Sequence, residues 1–340
     1  MSDPTKLFPG PTDYASVSPP QKLTIPSKPD APISYSFFPP TNQTDAAPKR
    51  LIVFINGLGL PALSWLPSIS IFREDLKSCP AILTYDRFGQ GLTISKDPLD
   101  GTLGKENGHD FLDVANDLHE IIVTIATKNL GLKARDVENG TLHLLLIGGS
   151  IGVPILRVYA EHHPGIAAGA ILLDSNIPNV NYSDFWPDPD APGFDPKTVV
   201  ADDCTLAQYR GARERLAAMF DLKVKNAEGL DRSTGPALLP HADGPKLVGP
   251  DGKGPWLNVV GHDPETFAEV SLEKMGTPKS LSMKFTNKYW AEYNQGLTKL
   301  TDRDTDVVIA PGCGHFIQMD GPGFLAQEVI SMLKKLDWSH

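Results

Sequence analysis

The segment Gly148-Gly149-Ser150-Ile151-Gly152 constrains this chain more than any other. It follows an apolar run at 142–147 and precedes residues 153–163, whose apolar spacing predicts a helix. A G-x-S-x-G pattern in that setting predicts a sharp strand-to-helix turn that lifts the Ser150 hydroxyl over the end of a buried strand. Small residues at Gly148 and Gly152 let strand and helix approach without a Cβ clash. The helix start adds free N–H groups and a positive dipole end beside the hydroxyl.

Around this turn, strand and helix patterns alternate. Short apolar runs at 51–55, 81–85, 168–173, 256–260 and 307–310 predict strands buried on both faces. Helical periodicity covers 65–77, 111–128, 206–220 and 324–336. Residues 22–25 and 33–38 suit an antiparallel hairpin across the break 26–32. Such alternation predicts an α/β fold, with a parallel sheet covered by helices on both faces. It stops over 176–255, where Trp186-Pro187-Asp188-Pro189-Asp190-Ala191-Pro192 and further glycines interrupt the pattern. The expected organisation is a loose N-terminal arm (1–20), a core made of 21–175 and 256–340, and a cap or lid inserted at 176–255.

Composition narrows the partners. A hydrophobic fraction of 41% supports a sizeable core in a chain of 340 residues. The net charge of -10, with no cluster of Lys and Arg, argues against nucleic acid. No apolar stretch is long enough to span a bilayer, and Met1-Ser2-Asp3-Pro4 does not begin a secretory signal. Three scattered cysteines, Cys79, Cys204 and Cys313, do not make a disulfide framework. The expectation is a cytoplasmic protein that acts on a small molecule, with no nucleic-acid partner; its oligomeric state stays open.

A serine hydroxyl is a weak nucleophile at neutral pH and needs a base, with a third group to hold that base. The base candidate is His315, in Pro311-Gly312-Cys313-Gly314-His315-Phe316 just beyond the last expected strand. The carboxyl ends of parallel strands converge on one crevice, where Ser150 and His315 can meet. Two aspartates end strands and compete for the third place. Asp263 leads, giving the chain order Ser, Asp, His, and Asp174 is the alternative. His262 reads as a structural neighbour. Oxyanion donors are expected from the backbone N–H of Ile151 and from Asn56-Gly57-Leu58-Gly59, most directly Leu58. Gly57-Leu58-Gly59-Leu60-Pro61-Ala62 imitates a dinucleotide fingerprint, but that reading leaves Ser150 and His315 unexplained. His162-His163 lacks a matching carboxylate motif, so no metal site is expected.

Taken together, Asn56-Gly57-Leu58-Gly59, Tyr85-Asp86-Arg87-Phe88-Gly89-Gln90-Gly91, Gly148–Gly152 and Gly314-His315-Phe316 resemble the α/β-hydrolase superfamily of the serine hydrolase type. The resemblance covers roughly residues 20–336. It implies an eight-stranded, mostly parallel sheet flanked by helices, a lid over its carboxyl edge and no cofactor. Two departures stand out. Asn56-Gly57 replaces the usual His-Gly, which points to Asn56 and Gly57 as substrate contacts. A helical stretch at 289–297 lengthens the gap between Asp263 and His315. The implied activity is hydrolysis of an ester or lactone of a moderately apolar small molecule through an acyl-enzyme. Trp186, Phe185, Met219 and Phe220 offer apolar surface in the cap. Acyl transfer, C–C bond hydrolysis, a lyase step or a ligand receptor on the same scaffold are the alternatives.

Overall fold

The computed structural model describes residues 19–41, 49–303 and 305–338. The expected arm thus lies almost entirely outside the described residues. Eight strands form one sheet: β1 (Gln21–Ile25), β2 (Lys28–Phe38), β3 (Lys49–Ile55), β4 (Ala81–Tyr85), β5 (Leu142–Gly149), β6 (Ala167–Leu173), β7 (Trp256–His262) and β8 (Val307–Ala310). Their spatial order is β1-β2-β4-β3-β5-β6-β7-β8. β3 through β8 run parallel, and the β1–β2 hairpin joins β4 antiparallel.

The hairpin turn is tighter than the sequence suggests, because Pro29 and Pro32 lie inside β2 instead of breaking it. β4 pairs only with Tyr35–Phe38 of β2, so neither proline owes that neighbour an N–H.

The longer helices are α1 (Leu66–Asp75), α2 (Phe111–Asn129), α3 (Gly152–His162), α4 (Leu206–Phe220), α5 (Pro264–Met275), α6 (Asn287–Leu297) and α7 (Pro322–Lys335). α2 starts where Asp110 accepts from the Leu112 and Asp113 N–H groups and Asp113 accepts from the Asp110 N–H. Val114, Leu118, Ile121, Ile122 and Ile125 then bury one stripe against the sheet. The two-residue period of β3 sorts the layers. Leu51, Val53 and Ile55 pack in the core shared with α2 and α3. Ile52 and Phe54 point the other way, into the core shared with α1 and α7.

Register sets the site. Ile55 pairs with Gly148, Gly149 with Leu173, Leu173 with Val260, and His262 with Ala310. The parallel strands therefore end level with one another, and Asn56, Ser150, Asp174, Asp263 and the turn before His315 all leave the same edge.

Above that edge, two segments interleave. The chain between β6 and β7, which includes α4, contributes Tyr182, Phe185, Trp186 and Tyr209. The chain between β7 and β8 contributes Phe285, Tyr289 and Trp290. Phe185 stacks on Tyr289 at 4.4 Å, and Tyr182 meets Trp290 edge-on at 5.6 Å. The helical stretch after Asp263 thus packs against residues of the 176–255 segment.

Candidate active site

β5 ends on two glycines because the backbone leaves no room there. A Cβ at Gly148 would lie 2.7 Å from the Gly152 carbonyl oxygen, and one at Gly152 only 2.2 Å from that of Ile55. Ser150 follows with φ 52, the left-handed region that costs an L-residue energy. Three backbone hydrogen bonds hold it there. Its N–H donates to Leu173 at 2.9 Å, and its carbonyl accepts from Val153 and Asn176, both at 3.0 Å. The strain is over-determined by the frame, as at many reactive sites.

His315 brings the imidazole. Its Nε2 lies 2.9 Å from Ser150 Oγ and its Nδ1 2.5 Å from Asp174 Oδ2. Trp290 presents its ring edge-on to the imidazole, with centroids 5.4 Å apart. Asp174 is wholly buried and also sits at positive φ, 41, at the end of β6. Burial opposes its charge. The charges of His262 and His315 and their hydrogen bonds outweigh that and hold its pKa at about 2. Because this folded value lies below that of an unfolded Asp, the group stabilises the fold above about pH 4. That contribution fades as pH falls toward 2.

Asp263, the leading acid from sequence, has another task. Its carboxylate accepts from the N–H groups of Glu265 at 3.0 Å, Thr266 at 3.2 Å and Gly312 at 3.1 Å. It caps α5 and ties that helix to the turn before His315 instead of bonding the imidazole. The Gly312 donor, with Thr266 and Glu265, lowers its pKa. Asp263-Pro264-Glu265 is a helix-start signature, with a capping acid followed by proline in the first turn, and could have been read as such.

The oxyanion candidates flank the hydroxyl. Gly57 lies so near that a Cβ there would be 3.4 Å from Ser150 Cβ. Among the described residues, no hydrogen bond takes up the N–H of Leu58 or of Ile151. Asn56, expected as a substrate contact, turns its side chain into the protein. Its amide donates to the Tyr85 carbonyl and to Gln90 Oε1, both at 2.8 Å, and its Oδ1 accepts from Trp65 Nε1 at 2.6 Å. These bonds hold the loop in place. Trp186 likewise belongs to the aromatic layer. It is buried, and its indole N–H donates to Thr286 Oγ1 at 3.0 Å. Met219 is half exposed, and Phe220 packs on Tyr182 at 5.7 Å.

Sequence reading missed the clamp on the Asn56–Gly59 loop. Arg87 donates to the carbonyls of Asn56 at 2.7 Å and Gly57 at 3.1 Å, and Gln90 donates to Gly57 at 2.8 Å. Glu228, from the segment between β6 and β7, accepts from the Gly59 N–H, from Arg87 and from Gln90. Arg87 and Glu228 are both nearly fully buried. The motif at 85–91 signals the fold, but its partner is 141 positions from Arg87, beyond any local pattern. Removing one member of such a pair strands the other charge. Glu228→Ala is expected to lower unfolding free energy by about 3–5 kcal/mol, checked by urea denaturation.

No helix among the described residues is long and apolar enough to cross a membrane. The chain matches no curated protein. Its fold is similar to that of solved structures across nearly their whole length. A soluble variant of monoglyceride lipase from Saccharomyces cerevisiae aligns with TM-score 0.55 at 16% identity, covering 98% of this chain and 99% of that one. A lipase candidate from Acinetobacter baumannii AYE aligns with TM-score 0.54 at 15% identity, covering 99% and 97%. The peroxisomal alpha-beta-hydrolase of Saccharomyces cerevisiae aligns with TM-score 0.51 at 12% identity, covering 94% and 88%. At these identities the likeness speaks for the fold alone. The sequence itself matches the alpha/beta hydrolase family over residues 52–328, most of the sheet and every residue discussed at its edge, so the chain belongs to that family.

Proposed function

We propose that this protein is a serine hydrolase that cleaves an ester or lactone of a moderately apolar small molecule, with Ser150, His315 and Asp174 as its triad. The observation that carries this reading is the unbroken hydrogen-bonded chain Ser150 Oγ–His315–Asp174 at the sheet edge. Ser150 attacks the acyl carbon while His315 Nε2 takes the hydroxyl proton. The Asp174 carboxylate holds the ring with Nδ1–H toward itself and faces the cation that forms. The unengaged N–H groups of Leu58 and Ile151 receive the oxyanion, each worth about 2.7–4 kcal/mol in the transition state. His315 then protonates the leaving alcohol. A water, activated by the same ring, cleaves the acyl-enzyme and restores the serine.

Apolar surface near the site supports an apolar acyl or alcohol group. Phe316 and Met319, beside His315, are 41% and 38% exposed, and the Trp290 ring borders the imidazole. The interleaved layer carrying Trp290 serves as the lid.

Labelling with a fluorophosphonate, followed by peptide mapping, tests the nucleophile, and a panel of p-nitrophenyl esters and lactones bounds the acyl group. Modification at Ser150 with turnover of at least one panel member is the expected result. Absence of both across pH 5–9 would remove the hydrolase reading.

A further inference from the structure

Asp174 serves two imidazoles. Its Oδ2 faces His315, while its Oδ1 lies 2.8 Å from His262 Nδ1 and 3.2 Å from the His262 backbone N. His262 is buried at the end of β7. Its Nε2 lies 3.2 Å from Asn287 Oδ1. The Asn287 amide is fixed in that orientation, because its Nδ2 donates to the Pro264 carbonyl at 2.9 Å and contacts Met283 Sδ at 3.2 Å.

Both ring nitrogens of His262 therefore face acceptors. A neutral imidazole has one N–H and one lone pair. In either tautomer that lone pair would point at an oxygen, at Asp174 or at Asn287. Only the doubly protonated ring satisfies both contacts.

We infer that His262 is held as an imidazolium paired with Asp174, and that this fixed cation opposes the second cation His315 acquires when it takes a proton. The inference rests on the hydrolase reading above and assigns His262 a positioning role through Asp174, without contact with the substrate. The groups around the ring agree with it. Asp174 faces it from β6, Asp263 adjoins it, Asn287 and Trp290 face it from α6, and Phe267 of α5 stacks on it at 4.2 Å. The charged groups among these are carboxylates. Burial alone would favour the neutral ring, but the Asp174 charge and the hydrogen bonds to Asp174 and Asn287 outweigh it and raise the pKa of His262.

Without this cation the carboxylate would act on His315 alone. The test is the rate of fluorophosphonate inactivation against pH, measured on the full chain for wild type and His262→Gln. Glutamine keeps a donor toward Asp174 and removes the charge. The acid limb of the variant is expected to move upward by about two pH units, the order expected on removing one like charge about 6 Å away at an effective dielectric of about 20. A structural role alone would lower the plateau and leave the limb in place, and superimposable limbs would overturn the inference.

Imidazole 15N shifts of His262 in the wild-type protein decide the charge independently, even where the variant fails to fold. Both nitrogens protonated at pH 7 supports the pair, and a neutral ring overturns it. Wild-type protein that resists the probe at every pH would strike the hydrolase reading instead, with the 15N measurement still deciding His262.

Discussion

Ser150→Ala is expected to lower kcat by about six orders of magnitude and to abolish fluorophosphonate labelling, with the protein still folded. The size follows from cooperation within the proposed triad: without the hydroxyl, His315 and Asp174 have nothing to activate. What remains is water reacting in a site that still offers the Leu58 and Ile151 N–H groups. Comparison with Ser150→Gly separates chemistry from strain. Both variants lose the hydroxyl and its 2.9 Å contact with His315, but only glycine relieves φ 52. Left-handed backbone costs an L-residue about 1–2 kcal/mol, and glycine returns about 0.4–1 kcal/mol through the freer unfolded chain. Ser150→Gly should therefore unfold at higher urea than Ser150→Ala, by about 0.5–1 kcal/mol in unfolding free energy. Equal midpoints would mean that the turn does not strain its central residue.

The two aspartates should behave as opposites. Asp174→Asn is expected to reduce kcat by about 10⁴-fold, because the amide NH2 donates to His315 Nδ1 and fixes the tautomer whose Nε2 already carries a proton. It should also lower thermal stability, since it removes the buried negative charge between His262 and His315. Asp263→Ala should leave kcat within about twofold and cost about 1 kcal/mol of stability, the worth of a helix cap. Steady-state kinetics with a p-nitrophenyl ester and thermal melts of both variants provide the check. A large loss of kcat in Asp263→Ala, with Asp174→Asn active, would exchange their roles.

That contrast marks where reading residues in order stops being enough. Both aspartates end a strand, and both satisfy the chain order Ser, Asp, His. The choice is made by competition for hydrogen bonds. Pro264 and Glu265 begin a helix directly after Asp263, whose carboxylate turns to the free N–H groups of that first turn and to Gly312. Asp174 meets no helix start. Its strand neighbours that of Ser150, and positive φ leaves its side chain beneath His315. Asn56 is a similar case. As a residue replacing histidine in a loop near Ser150, it suggested a substrate contact. The buried partners Trp65, Tyr85 and Gln90 arrive from two other places in the chain and occupy it.

By itself the sequence determined the frame. Strands buried on both faces must be continuous apolar runs, and helices on a sheet must carry a stripe. Those local demands made β3, β4, β5, β6, β7 and β8, and α2 and α4, readable to within a residue or two. The same held for the turn at Ser150, since glycines at Gly148 and Gly152 are required by the close approach of backbone to backbone. Tertiary structure alone decided which carboxylate meets His315, that His262 shares it, and that Glu228 locks the loop that carries Leu58. Each of these is a contact between residues that end up adjacent only after register has brought the strand ends level. Polar side chains buried there take whichever partners that geometry leaves them, and no local pattern records the outcome.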